Sequence, residues 1–588
     1  MIVDSAPGGV PWLRRPERLL DLWVLLVTAL VCWPLLSTPG YPFARDLVFT
    51  PQLPLRPETL GLGTASPRAV PLDAVVGSLS VVVDGAFVGR VAVVGVLVVA
   101  GCGAHRAVLG LGLVPRFTVA AFAIWNPFVL ERLGLGQWAL LAGYAALFPL
   151  LSALTAPTRS ARVRCSAAAP WLLLGALTPT GALLVGVSTV VVGVRRRADA
   201  GLVAMAVAVQ LPWVVPALLA SSGTVSDPDA VPAFASRAER AGGAVWSLIG
   251  LGGIWDSQSV PSTREGWLGH LTSVVVVCAL GVAARRTPRL SVLAPRVWVL
   301  GVGSLLLSVV TTIGPAGAVV SALTGSVPGM GLLRDSQKWL APFVVLSVVA
   351  VGVLTQTCRR VVQERANALA PTVAGVALLF PFLLIPDGAV VVHRVLTPVT
   401  YPAEVASISQ VLADEDPSTQ GALASVPWRL YRLYPWAGPY ATYDPASRLF
   451  DVRVITADDL TVGARRIQGE DPWAARVGQV VSEPGPGTVD SLAREGVRWL
   501  LVQRDDAESS DLLQTVRRSP RAAVVVDGDS LTLVRLDDTD VTAAQAQEPS
   551  RTAVVAVLLI DLVVLFSMVA VAMAKRATWW GRRSVTLW

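Results

Sequence analysis

Gly40-Tyr-Pro-Phe-Ala-Arg-Asp-Leu-Val-Phe-Thr-Pro51 follows directly on an apolar run over residues 20–36. A run of that kind approaches the ~20 residues that cross a bilayer, so the quoted stretch opens a loop on the far side of a first membrane span. Its acid, Asp46, sits beside Arg45 within a few residues of where hydrocarbon ends. An ionisable group at that depth is costly to hold, which marks Asp46 as a functional candidate. The structural alternative is an Arg-Asp pair that marks the membrane boundary.

The apolar pattern recurs along most of the 588 residues, of which 53% are hydrophobic, and the mean hydropathy is +0.60. This composition predicts an α-helical polytopic membrane protein. Further spans are expected at 91–103, 108–125, 138–154, 202–220, 268–284, 297–313, 340–357, 368–385 and 554–574. The segment 171–194 is broken by Thr178-Pro-Thr-Gly181 and reads as a hairpin of two short halves packed among other helices. Counting it twice gives about twelve passes. Residues 70–87 read as an amphipathic helix on the membrane surface, and 314–331, rich in Gly, Ser and Pro, as irregular.

No small-residue cleavage site follows the first run, and further spans do, so it is not read as a signal peptide. Basic residues gather at Arg14, Arg15 and Arg18, at Arg159, Arg162 and Arg164, and at Arg195–Arg197. They gather again at Arg285, Arg286 and Arg289, at Arg359, Arg360 and Arg365, and at Lys575, Arg576, Arg582 and Arg583. All of these loops agree with one orientation, with both termini cytoplasmic.

Residues 386–550 are polar and lie outside in that orientation. Helices are expected at 402–413 and 488–495, strands at 421–426 and 497–502, and a hairpin over 522–536 around Asp527-Gly-Asp529. The expected division is a transmembrane domain over 1–385, an extracytoplasmic α/β domain over 386–550, and a last transmembrane helix with a short cytoplasmic tail over 551–588. The multi-pass chain is expected in the plasma membrane.

The net charge of +7 falls mainly in short inter-helix loops, which argues for orientation and not for a nucleic-acid partner. The five cysteines (32, 102, 165, 278, 358) lie in spans or cytoplasmic loops, so no disulfide framework is expected outside. No C-x-x-C or His/Cys cluster appears, and the three histidines are scattered, which disfavours a protein-ligated zinc or iron site. No Walker loop, dinucleotide fingerprint or Ser-His-Asp arrangement is present. Only two of the 48 basic residues are lysines, Lys338 and Lys575.

Four features together resemble the GT-C superfamily of glycosyltransferases that use polyprenyl-phosphate sugars, in particular actinobacterial cell-envelope arabinofuranosyl- and mannosyltransferases. They are the acid Asp46 in the first outer loop; Asn126-Pro-Phe-Val-Leu-Glu-Arg132 with Gly136-Gln137; Gly252-Gly-Ile-Trp255 with Pro261-Ser-Thr-Arg264; and Leu333-Arg-Asp-Ser-Gln-Lys-Trp339 at the mouth of a late span. The resemblance covers residues 1 to about 385. It implies an outer-face, inverting transfer from a lipid-phosphate sugar to a cell-envelope glycan or glycolipid, with membrane lipids around it. Many family members carry two neighbouring acids in the first loop. Here Leu47 follows Asp46, so Glu58, Asp73 or Asp84 would supply a second acid only through folding.

Such a transfer needs a carboxylate to take the acceptor hydroxyl proton, and cations to stabilise the departing phosphate. Asp46 suits the first role, against a structural salt bridge to Arg45 or Arg334. Arg334 and Lys338, at helical i, i+4 spacing, suit the second, against anchoring a helix end to anionic headgroups. Arg132 is a weaker phosphate candidate that with Glu131 equally well braces a turn. Arg45, Glu131, Gln137, Trp255, Arg264 and Asp335 complete the expected substrate-binding set; Trp255 stacks on a sugar or marks the interface. Trp428 and Trp436 outside form either a glycan platform or core. Two cations serve a single phosphate without a metal, so no cofactor is required and a divalent ion is possible but not indicated. A lipid-sugar flippase and a non-catalytic envelope scaffold are the competing readings.

Overall fold

The computed structural model describes residues 15–64, 69–156, 160–219, 225–285, 290–416, 420–504 and 507–581. Arg14, Arg159, Arg286, Arg289, Arg582 and Arg583 lie outside the described residues, as does part of the Gly/Pro-rich stretch over 60–68. Among the described residues, eight helices are long and apolar enough to cross a membrane. The pair over 197–208 and 211–219, bent by 47°, brings the number to nine. The chain is a membrane protein.

The twelve passes expected exceed this number for local reasons. The first apolar run folds as Arg15–Val31 and Trp33–Ser37, interrupted ahead of Pro34, where a ring without an N–H breaks the helical ladder. The hairpin halves are short as well, Ala161–Gly175 and Pro179–Ser188, and Thr178 caps the second by accepting a hydrogen bond from the Gly181 amide. Two further expectations need correction. Gly314–Thr324, read as irregular, is a helix with Pro at its start. The surface segment over 70–87 is helical only over Leu72–Ser80, and the next helix, Gly85–Ala107, begins earlier than its apolar run because Asp84 caps it.

The helices Gly85–Ala107, Leu113–Ile124, Trp138–Thr155 and Ala341–Arg365 form the centre of the membrane part. Trp138–Thr155 is almost wholly buried, which explains its unbroken apolar sequence. Asn126-Pro127 divides the third run into Leu113–Ile124 and Pro127–Gly134. The Asn126 side chain accepts from the Val129 amide (3.2 Å) and donates to the Phe122 carbonyl (2.8 Å), closing one helix and opening the next.

Outside the helices lies a five-stranded mixed sheet in the spatial order Ala522–Asp527, Leu531–Leu536, Val497–Gln503, Ala422–Val426, Val454–Ile455. Ala422–Val426 pairs in parallel with both neighbours and is buried throughout, as a central parallel strand should be. Trp428 packs against the core on one face of this sheet.

The sheet region is joined to the first loop by an aromatic cluster. Phe43 is fully buried, stacks on Trp436 (ring centroids 5.0 Å apart) and meets Tyr434 and Tyr401 edge-on at 5.6 and 5.4 Å. Tyr41 and Val399 exchange backbone hydrogen bonds of 2.8 and 2.9 Å beside it. Trp428 and Trp436 are thus both engaged in packing. Truncating a buried aromatic typically costs ~3–5 kcal/mol. Phe43→Ala is therefore expected to loosen the sheet region from the membrane part, seen as faster proteolysis within 400–546 in the folded protein. Unchanged cleavage would mean that the cluster does not carry the docking.

Candidate functional site

Asp46 sits in a two-residue turn between the short strands Phe43–Ala44 and Leu47–Val48, which pair Phe43 with Val48 and Ala44 with Leu47. Arg45 takes the first turn position in the left-handed region, φ +57°, which disfavours a residue with a Cβ. Several contacts hold it there. Its Nη1 donates to Asp256 at 2.6 Å, its Nη2 to Gln258 at 3.0 Å, its amide to Thr442 Oγ1 at 3.1 Å, and its carbonyl accepts from the Tyr443 amide at 3.0 Å. The guanidinium lies 4.6 Å from the centroid of the Tyr440 ring. Arg45 is spent on structure, and it does not pair with Asp46 in any of these contacts.

Asp46 is half-buried, and both of its carboxylate oxygens accept from neutral donors. Gln137 Nε2 donates to Oδ2 at 2.8 Å, and the Tyr431 hydroxyl donates to Oδ1. The Asp46 amide donates to the Leu135 carbonyl at 3.2 Å. That close approach explains Gly136 in the Gly-Gln pair. Its φ is +78°, and a Cβ there would stand 2.5 Å from the Leu47 nitrogen.

Behind Gln137 lies a buried ion pair. Arg132 is fully buried and grips Asp335 with two hydrogen bonds of 2.7 and 2.8 Å, a bidentate geometry. It also donates to Gln137 Oε1 and to Gln337 Oε1, each at 2.7 Å. Gln337 passes the connection on to Glu131 at 3.0 Å. Lys338 lies 3.5 Å from Asp335, and its side chain is 26% exposed.

The helical i, i+4 geometry expected for Arg334 and Lys338 is not formed. The segment is two 3₁₀ turns, Met330–Leu333 and Ser336–Leu340, separated by Arg334 and Asp335, and the Asp335 backbone (φ −92°, ψ 86°) is not helical. Arg334 is half-buried, with its guanidinium 5.1 Å from the centre of the Phe234 ring.

Glu131 and Arg264 belong to a second, fully buried cluster. Arg264 donates to Glu239 at 2.8 and 3.1 Å, and Arg240 donates to Glu239 at 3.1 Å. Burial, with Arg264 beside it, pulls the Arg240 guanidinium down to about 10. Gly252 is wedged into the cluster, since a Cβ there would meet Glu239 at 2.1 Å and Arg264 and Glu131 at 2.6 Å. Trp255 packs edge-on against Phe234 at 4.9 Å. The three alternative acids are engaged elsewhere: Asp73 with Arg448, Asp84 with Tyr41, and Glu58 with Arg56 and Arg453.

Asp46, Gln137, Lys338 and Arg334 thus keep partial solvent access above a buried layer of Arg132, Glu131, Asp335 and Gln337, while Arg45, Arg264 and Trp255 are taken up in packing. Tyr431 was not singled out by the sequence, because it reaches Asp46 across 385 residues and no local pattern announces it.

The sequence also gave no sign that Asp21, Cys102 and His105 converge, with ligand atoms within 4.8 Å of one another. Arg106 donates to both Asp21 oxygens (2.8 and 2.9 Å), and Arg116 lies 3.2 Å from His105 Nδ1, so arginines already occupy these groups in an ion-pair network.

The fold is similar to that of arabinofuranosyltransferase AftD from Mycobacteria. One cryo-EM structure of that protein superposes with a TM-score of 0.55 at 18% identity, covering 91% of this chain and 40% of the other. A structure of one of its mutants superposes with a TM-score of 0.52 at 17% identity, covering 91% and 42%. The chain therefore spans about two fifths of the length of these neighbours. No protein-family model matches the chain, and no curated protein matches it in sequence.

Removing one partner of a buried ion pair typically costs ~3–5 kcal/mol, because the other charge is left uncompensated. Arg132→Ala and Asp335→Asn are each expected to lower thermal stability on this scale. The double variant Arg132→Met/Asp335→Leu should recover a large part of the loss. Equal stability of wild type and both single variants would show that the pair does not hold these segments together.

Proposed function

We propose that the protein is a membrane glycosyltransferase. It moves a sugar, arabinofuranose or mannose by preference, from a polyprenyl phosphate to a cell-envelope glycan or glycolipid on the outer face. The observation that carries this reading is the support that Asp46 and Lys338 share. Asp46, through Gln137, and Lys338, through Asp335, come from distant segments and are both held by one buried Arg132–Asp335 pair. The similarity of fold to an arabinofuranosyltransferase is consistent with it.

In this reading the acceptor hydroxyl oxygen attacks the anomeric carbon while the bond from that carbon to the phosphate oxygen breaks. The electron pair leaves with the polyprenyl phosphate, and the hydroxyl proton passes to Asp46. Attack opposite the leaving group inverts the anomeric centre. Lys338 and Arg334 meet the charge that develops on the departing phosphate. Gln137 and Tyr431 aim the carboxylate, while Arg132, Glu131 and Asp335 hold these groups from below and do not touch substrate. Neutral donors on both oxygens leave Asp46 able to change partner when an acceptor hydroxyl arrives.

Residues 1–385 form the transfer unit, 386–550 an outer domain that supplies Tyr431, and 551–588 the last membrane helix with its cytoplasmic tail. Both termini face the cytoplasm. A reporter within 400–540 is expected to face outward and one after Arg197 inward; the opposite pattern would overturn the outer-face reading.

Asp46→Asn preserves shape and hydrogen bonding but removes the proton acceptor. Turnover is expected to fall by at least about 100-fold, since general-base help is typically worth ~10²–10⁴, while donor affinity changes little. Lys338→Ala is expected to weaken donor binding about tenfold, the scale of one charge-assisted contact, with thermal stability preserved. Full turnover in Asp46→Asn would exclude it as the base.

A further inference from the structure

A cavity of ≈ 430 Å³ opens where the first loop, the outer sheet region and the last helix meet. Arg56, Arg453 and Arg551 line it together with Leu55, Val554 and Val555. Arg551 begins the last candidate span, Arg551–Ala574, so the valines belong to the first turns of a membrane helix and the cavity lies at a membrane boundary.

Arg453 is the unusual member. It is 8% exposed, lies 5.1 Å from the Trp473 ring centroid, and among the described residues neither Nη1 nor Nη2 has a hydrogen-bond partner. Its one ion-pair contact is from Nε to Glu58 at 3.5 Å. Buried guanidinium donors are seldom left unmatched, because the desolvation of a charged group is not offset. Glu58 is shared between Arg453 and Arg56 at 3.5 Å from each, Asp451 lies 3.3 Å from Arg56, and Glu548 also lines the cavity, yet neither Arg453 Nη1 nor Nη2 donates to any of them.

We infer that this cavity binds the phosphate headgroup of a membrane lipid. The phosphate oxygens accept from Arg453 Nη1 and Nη2 and from Arg551, for which the planar guanidinium fork is well matched. The acyl chains run along Val554, Val555 and the exposed Leu55, and Glu548 stands beside the headgroup. Such a lipid bridges three segments far apart in sequence and fastens the outer sheet region to the last span. The site is separate from Asp46, so its failure leaves the proposed function untouched.

The test is native mass spectrometry of the delipidated full chain titrated with phosphatidylglycerol and, separately, with inorganic phosphate. The wild type is expected to hold one tightly bound phosphatidylglycerol. Arg453→Gln and Arg551→Gln should each weaken it about tenfold, with inorganic phosphate binding far more weakly than the lipid. Arg551 is exposed at the start of its helix, so its variant decides the matter if Arg453→Gln fails to fold. Equal lipid binding in wild type and Arg551→Gln, or inorganic phosphate bound as tightly as the lipid, would overturn the inference.

Discussion

The bidentate pair of Arg132 with Asp335 is the contact on which the candidate site depends. It is fully buried, it joins the turn after Asn126-Pro127 to the mouth of a late span, and it reaches outward through Gln137 and Lys338. A buried ion pair is a weak source of net stability, because desolvating two charges offsets most of their attraction. Its use here is geometric: with five donors in a rigid fork, Arg132 fixes Asp335, Gln337 and Gln137 at once. Gln137 then fixes Asp46, and Asp335 fixes Lys338. Asp46 and Lys338, which are both half-buried, are thus tied to one fully buried pair.

A second layer of constraint comes from the sheet region. The Asp46 turn is clamped by Thr442, Tyr443 and Tyr440 around Arg45, and Phe43 is embedded among Tyr401, Tyr434 and Trp436. The positive φ of Arg45 costs on the order of 1–2 kcal/mol. It persists because five contacts over-determine it. The sheet region is therefore part of the framework of the site, and through Tyr431 it touches the candidate base itself.

Much of the membrane part was legible because single residues dictate local structure. Apolar runs marked the longer helices, Asn126-Pro127 lay where the third span was expected to end, Thr178-Pro179 marked a helix restart, and Asp527-Gly-Asp529 lay at the turn of a real hairpin. Asp46 stood out by its depth beside an apolar run, and Lys338 because only two of the 48 basic residues are lysines. The failures have equally local causes. Arg334 and Lys338 matched a helical spacing, but the grip of Arg132 on Asp335 accompanies a non-helical backbone at that residue, so tertiary contact overrode periodicity. Arg264 and Arg45 carry charges that suggested substrate contact, yet each grips a carboxylate distant in sequence, and Glu131 accepts from Gln337 and the Ile254 amide. Gly252 and Gly136 were noticed as motif letters, whereas their reason, close backbone approach to Glu239 and to Leu47, exists only in the folded chain. The role of Tyr431 and the meeting of Phe43 with Trp436 depend on contacts across hundreds of residues, and of these residues only Trp436 was singled out by the sequence.

The central claim is that Asp46 and Lys338 face one reacting centre. The most direct measurement is a cryo-EM structure with a non-transferable polyprenyl phosphonate sugar bound. The account predicts phosphonate oxygens in salt-bridge contact with Lys338 and the anomeric carbon turned toward Asp46. A sugar-phosphonate bound elsewhere, with Asp46 still closed between Gln137 and Tyr431, would contradict it.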